Sequence, residues 1–192
     1  MTNFMVRLLF GIEKHGEENI PKKGGALITC NHVYVYDPPL IGCACSRELY
    51  YLAKTELFRN SLFAWLIKKL NAIPISRGTF DRRGFDSALE ILKSGKVLVA
   101  FPEGTRSKDG ELKEFKLGAA KLALEAEVPI VPAYLDYSRN WLKAFLQRKK
   151  IIIKFGSPLN SDSFSLIPKN KEGYKRVTQE IMQKIRALKE NS

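Results

Sequence analysis

Cysteine is scarce in this chain: Cys30, Cys43 and Cys45 are the only three among 192 residues. An odd, small number argues against a disulfide framework and fits a reducing compartment. Cys43 and Cys45 lie in a segment read as helical, where they point to different faces. A metal site would need further ligands nearby, so packing is the preferred reading and no metal is expected. Long apolar runs are also missing. Met1 to Ile12 is apolar apart from Thr2, Asn3 and Arg7, too short to span a bilayer. It has neither a basic leader nor a small-residue cleavage site. The expectation is a protein in the cytoplasm or on a membrane surface, not across it, with residues 1–15 a candidate membrane contact. Acidic residues are outnumbered, 20 against 32 basic ones, for a net charge of +12. That excess favours an anionic partner, whether nucleic acid, an acidic membrane surface or a phosphorylated small molecule.

What is present points to an ordered globular chain. The apolar share is 45% and the charged share 27%, which argues against global disorder. No repeat, low-complexity tract or long linker interrupts residues 1–192, and one domain is the economical reading. Short β-rich runs alternate with helical patterns, which predicts an α/β fold with a central, mostly parallel or mixed sheet flanked by helices. The expected strands are Ala26–Cys30, Leu49–Ala53, Ala72–Ile75, Val97–Phe101, Ile130–Leu135 and Ile151–Phe155. Most lack polar alternation, as strands covered on both faces do. Helices are expected over Phe85–Ser94, with Gly95 as its C-terminal cap, over Gly118–Ala126, and over about Glu172–Lys189. Pro38 and Pro39 restrict the backbone at Asp37 and should end the preceding loop sharply.

Two apolar runs stop abruptly at polar loops. Ala26–Cys30 is followed by Asn31-His32, and Val97–Phe101 by Pro102-Glu103-Gly104-Thr105-Arg106-Ser107. Sites in α/β sheets gather at the carboxyl ends of strands. His32 is one of only two histidines. An imidazole with a free pKa of ~6.5 is a natural general base near neutral pH. Asp37, five residues on, can accept the other ring N–H across a turn and fix the tautomer. Alone, a His-x4-Asp spacing is more often an unrelated pair. His15, in a polar run, reads as a solvated loop residue. Around Gly104, which permits close backbone approach, Arg106 can grip a phosphate bidentately. Glu103 is expected to orient Arg106 or a substrate hydroxyl. Arg77 and Lys54 each follow an apolar strand. Three cations at strand ends beside a His/Asp pair are harder to assign to chance than any one of them.

Together these residues resemble the 1-acylglycerol-3-phosphate acyltransferase family of the glycerolipid acyltransferase superfamily. The resemblance runs from about Gly16 to Leu135. It is carried by Asn31-His32 through Asp37-Pro38-Pro39, by Ile75-Ser76-Arg77-Gly78, by Phe101 to Ser107, and by Val128-Pro129-Ile130-Val131-Pro132-Ala133. Tyr34 stands where the family usually has serine. The resemblance implies that His32 is the general base and Asp37 its orienting partner. It implies that Lys54, Arg77, Glu103, Gly104 and Arg106 bind the acceptor. It implies acyl transfer from a thioester on coenzyme A or acyl carrier protein to the free hydroxyl of 1-acylglycerol-3-phosphate (lysophosphatidic acid), giving phosphatidic acid. No bound cofactor and no nucleic-acid partner are expected. Cys30 should pack rather than act as a nucleophile.

A lipid acceptor must be reached from a bilayer. Phe58 to Leu70 and Trp141 to Lys150 both mix apolar and aromatic residues with cations, which suits interfacial binding. Packing of these helices on the sheet would produce the same pattern. The expected location is peripheral, on the inner face of the cell membrane. Two alternatives stand beside this reading. One is an acyltransferase for glycerol-3-phosphate or a lysophospholipid. The other is a non-catalytic basic protein binding lipid or nucleic acid.

Overall fold

The computed structural model describes residues 11–76, 81–136 and 150–190. Arg77, Gly78 and nearly all of the Trp141–Lys150 segment lie outside the described residues. One sheet contains β1 (Ile12–His15), β2 (Ala26–Cys30), β3 (Leu49–Lys54), β4 (Ala72–Ile75), β5 (Val97–Ala100), β6 (Ile130–Asp136) and β7 (Ile151–Phe155). Their spatial order is β1-β7-β6-β2-β5-β3-β4. Every pairing is parallel except β6 with β7. The described helices are α1 (Asp37–Ala44), α2 (Ser61–Lys69), α3 (Arg82–Lys93), α4 (Gly118–Ala126) and α5 (Lys171–Glu190). The expected α/β fold with a mostly parallel, mixed sheet is what the chain forms.

The apolar runs of β2, β5 and β6 are buried on both sides, with alternate residues feeding two cores. Leu27, Leu98, Ala100 and Ile130 face the core built by α3, α4 and α5. Ile28, Val97, Val99 and Val131 face the core closed by α1. Small side chains at Ala119, Ala120 and Ala123 suit the close approach of α4 to the sheet. Among the described residues no helix is long and apolar enough to cross a membrane.

Three differences from the sequence reading have clear causes. Strand β1 was not expected, because Glu13, Lys14 and His15 make it polar; it survives as an edge strand paired with β7. His15 is therefore an exposed strand residue rather than a loop residue, and its Nε2 lies 2.9 Å from Glu13 Oε1. Helix α3 starts three residues early, because Asp81 caps it by accepting the Gly84 N–H at 3.0 Å. Cys43 lies in α1, whereas Cys45 sits just beyond it in extended backbone. Gly95 does follow α3 at φ +81°, its N–H bonded to Leu92 O, as a terminating glycine should.

Connectivity creates the crevice. Neighbouring strands β2 and β5 are parallel, yet β2 leads into α1 on one face and β5 leads towards α4 on the other. Two chains leaving in opposite directions open a gap outside the carboxyl ends of the strands. The loops after β2 and β5 line that gap.

Candidate active site

The loop after β2 is wound around one carboxylate. Asp37 opens α1, where Pro38 and Pro39 lose nothing by lacking an N–H, since first-turn N–H groups have no helical partner. Its Oδ2 accepts three bonds: from His32 Nδ1 at 2.7 Å, from Val33 N at 2.7 Å and from Tyr34 N at 2.9 Å. Asp37 is fully buried and His32 nearly so. Because the carboxylate only accepts, the ring proton is assigned to Nδ1, which leaves the lone pair on Nε2. The imidazole also stacks on Phe101, ring centroids 4.2 Å apart.

Two further residues hold this loop in place. The side chain of Asn31 continues the β2–β6 pairing: Nδ2 donates to Leu135 O at 3.1 Å, and Oδ1 accepts from Leu135 N at 2.8 Å. From the β5 loop, Ser107 N donates to His32 O at 2.7 Å. Glu103 reaches the same loop. Its Oε1 accepts the backbone N–H of His32 at 3.1 Å, so its described bond is to the base's own backbone and not to Arg106. Glu103 Oε2 is buried with no hydrogen-bond partner among the described residues.

Burial pushes the Glu103 carboxyl above its ordinary 4.5, and the His32 N–H and the nearby Lys113 offset this only in part. The raised value fixes the sign of a pH effect. The buried proton contributes stability that is fully present below pH 4.5 and is lost as pH rises through the higher folded value. Glu103→Gln should remove that dependence. Melting temperatures of the two proteins, measured from acid to neutral pH, should show the variant gaining on the parent as pH rises.

The β5 loop turns at Gly104, whose φ of +69° is the left-handed region that glycine adopts without strain. Gly104 N bonds to Phe101 O at 3.0 Å, which ends β5 one residue earlier than expected. Arg106 is exposed beyond the turn, and Lys113 Nζ fastens its carbonyl at 2.9 Å. Lys54 ends β3, its Nζ 2.7 Å from Glu56 Oε1. The ends of β3 and β4 are linked by Thr55 Oγ1 and Ser76 Oγ at 3.3 Å. The fold thus delivers His32, Asp37, Lys54, Glu103, Gly104 and Arg106 to one sheet edge.

Cys30 is wholly buried, and burial pushes its thiol well above the ordinary range. A protonated thiol is a poor nucleophile, which agrees with a packing role. Beside Phe101 opens a cavity of about 550 Å³ lined by Leu52, Phe85, Ala100, Ala119 and Leu122, with Lys116, Lys121 and Lys171 among its walls. Sequence reasoning missed the cavity, the Phe101 stack, and the roles of Asn31 and Ser107. Asn31 and Ser107 stood inside the motifs, and that was their only signal.

Known proteins resemble this chain over most of its length. Residues 11–136 match the acyltransferase family. The 1-acyl-sn-glycerol-3-phosphate acyltransferase of Bacillus subtilis is 32% identical over 181 residues, covering 93% of this chain and 88% of the relative. The protein of that name from Streptococcus pneumoniae is 28% identical, covering 100% and 73%. The crystal structure of the 1-acyl-sn-glycerophosphate acyltransferase of Thermotoga maritima superposes with a TM-score of 0.72 at 26% identity, covering 98% of this chain and 76% of that one.

Proposed function

Because the chain belongs to the acyltransferase family, we propose that it acylates the free hydroxyl of 1-acylglycerol-3-phosphate, with His32 as general base, to give phosphatidic acid. The observation that carries the reading is the 2.7 Å contact between His32 Nδ1 and Asp37 Oδ2, from which the Nδ1–H tautomer is assigned with Nε2 as the proton acceptor. The acceptor hydroxyl loses its proton to Nε2 as its oxygen bonds to the thioester carbonyl carbon. The carbon–sulfur bond then breaks, and the departing thiolate takes the proton back from the imidazolium. Nε2 is thus a base in the first half and an acid in the second. Asp37 orients the ring and balances the imidazolium charge.

Arg106, Lys54 and Arg77 supply positive charge for the acceptor phosphate. Glu103 Oε2, buried and without a hydrogen-bond partner among the described residues, is suited to accept from an acceptor hydroxyl. Gly104 lets the backbone come close. The apolar cavity behind Phe101 is suited to an acyl chain. The donor is a thioester on coenzyme A or on acyl carrier protein, and the chain acts as one catalytic domain, peripheral on the cytoplasmic membrane face. Family membership and the built His32 site favour this reading over a non-catalytic basic protein.

The test is thiol release from purified protein with 1-acylglycerol-3-phosphate and each thioester in parallel, with phosphatidic acid identified as product. Glycerol-3-phosphate and lysophosphatidylcholine serve as competing acceptors. Absence of thiol release with either carrier at saturating acceptor would sink the proposal. Arg106→Ala and Lys54→Ala should each raise KM for the acceptor by roughly tenfold or more, as loss of a charged hydrogen bond does, with a smaller change in kcat.

A further inference from the structure

A surface helix ordinarily turns its apolar stripe inward. Helix α2 buries Ala64 and Ile67 and turns Leu62, Trp65 and Leu66 outward. Leu62 is 76% exposed, Trp65 58% and Leu66 47%, and their i, i+3, i+4 spacing puts them on one stripe. Leu57 and Leu70, on either side of the helix, are exposed as well. A single exposed leucine needs no explanation, but a contiguous patch does.

Charge surrounds the patch. Arg59 precedes the helix and Lys68 and Lys69 end it, all three exposed, and no acidic residue lies between Arg59 and Leu70. Lys69 Nζ stands 5.4 Å from the Trp65 ring centroid. The patch begins near the active edge. Leu57 lies in the turn after β3, and Val35, also exposed, stands in the loop between His32 and Asp37 after β2.

We propose that the outer stripe of α2, Leu62, Trp65 and Leu66 with Arg59, Lys68 and Lys69 around it, seats the protein on an anionic phospholipid bilayer. Apolar residues enter the acyl boundary while flanking cations meet lipid phosphates. A second copy of the chain fits poorly. A twofold contact would set this cationic patch against itself, between molecules that each carry +12. The inference rests on the acyl-transfer reading only for its biological purpose, so the two can fail separately.

Flotation with vesicles of phosphatidylcholine and phosphatidylglycerol tests it, with phosphatidylcholine alone as the comparison. L62S/W65S/L66S and K68E/K69E should each partition onto the mixed vesicles roughly tenfold or more weakly than the parent. Acyl transfer to a long-chain acceptor embedded in those vesicles should fall in proportion. Transfer to a short-chain, water-soluble acceptor should be unchanged, which also shows that the variants are folded. Parent-like flotation of L62S/W65S/L66S would overturn the proposal. So would a fall in its light-scattering mass from dimer to monomer, which would make a second copy the occupant. If the parent turns over neither acceptor, the acyl-transfer reading fails while flotation still decides the docking surface.

Discussion

His32→Ala should lower acyl transfer by about 10²–10⁴-fold, the usual worth of a positioned general base. The loss should fall on kcat, since the imidazole moves a proton and does not hold the phosphate. Folding should survive. Asp37 Oδ2 keeps the Val33 and Tyr34 N–H groups, and the loop keeps the Asn31 and Ser107 ties. Removing a mostly buried ring stacked on Phe101 should cost about 1–3 kcal/mol of stability. Single-turnover thiol release and a denaturant melt would separate the two effects. Near-parental turnover in a folded variant would remove His32 from the mechanism.

Asp37→Asn should be almost as damaging to rate and comparably damaging to the fold. One oxygen now accepts three N–H groups, one of them from the base. A neutral amide accepts more weakly than a carboxylate. It can also offer an N–H to Nδ1, which would move the ring proton to Nε2 and leave no acceptor for the substrate hydroxyl. It cannot balance an imidazolium. A fall of about 10²–10⁴-fold in kcat is expected. Weakened bonds to buried backbone N–H groups should cost about 1–3 kcal/mol. Proton NMR of the ring would show the exchanged tautomer, and an unchanged ring would refute the account.

The expected strands and helices were legible wherever apolar runs met clear stops. The loops after β2 and β5 were readable because Cys30 to Asn31 and Phe101 to Pro102 are abrupt changes of polarity. Parallel strands then had to bring both loops to one edge. Strand β1 was not readable, because an edge strand needs no apolar pattern and Glu13, Lys14 and His15 have none. The loop ties were hidden by distance along the chain. Asn31 finds its partner Leu135 104 residues away, and no local spacing marks such a pair. Glu103 was read as orienting Arg106 or a substrate hydroxyl; the tie of its Oε1 to the N–H of His32, 71 residues back, is one that no motif spacing marks. The cavity was invisible because its lining, Leu52, Ala100, Ala119 and Leu122, is the same kind of side chain that fills a core.

Phe101 has one ring face on His32 and also lines the cavity. With an acyl chain in that cavity, a single side chain serves two masters. A smaller residue there would admit a bulkier chain while releasing the base from its rest, so selectivity and turnover would change together. An acyl chain in that cavity would therefore make position 101 a costly place to change chain preference. Leu52, Phe85, Ala119 and Leu122 line the same cavity without stacking on the imidazole, so there its length and bore would be adjustable separately from the base.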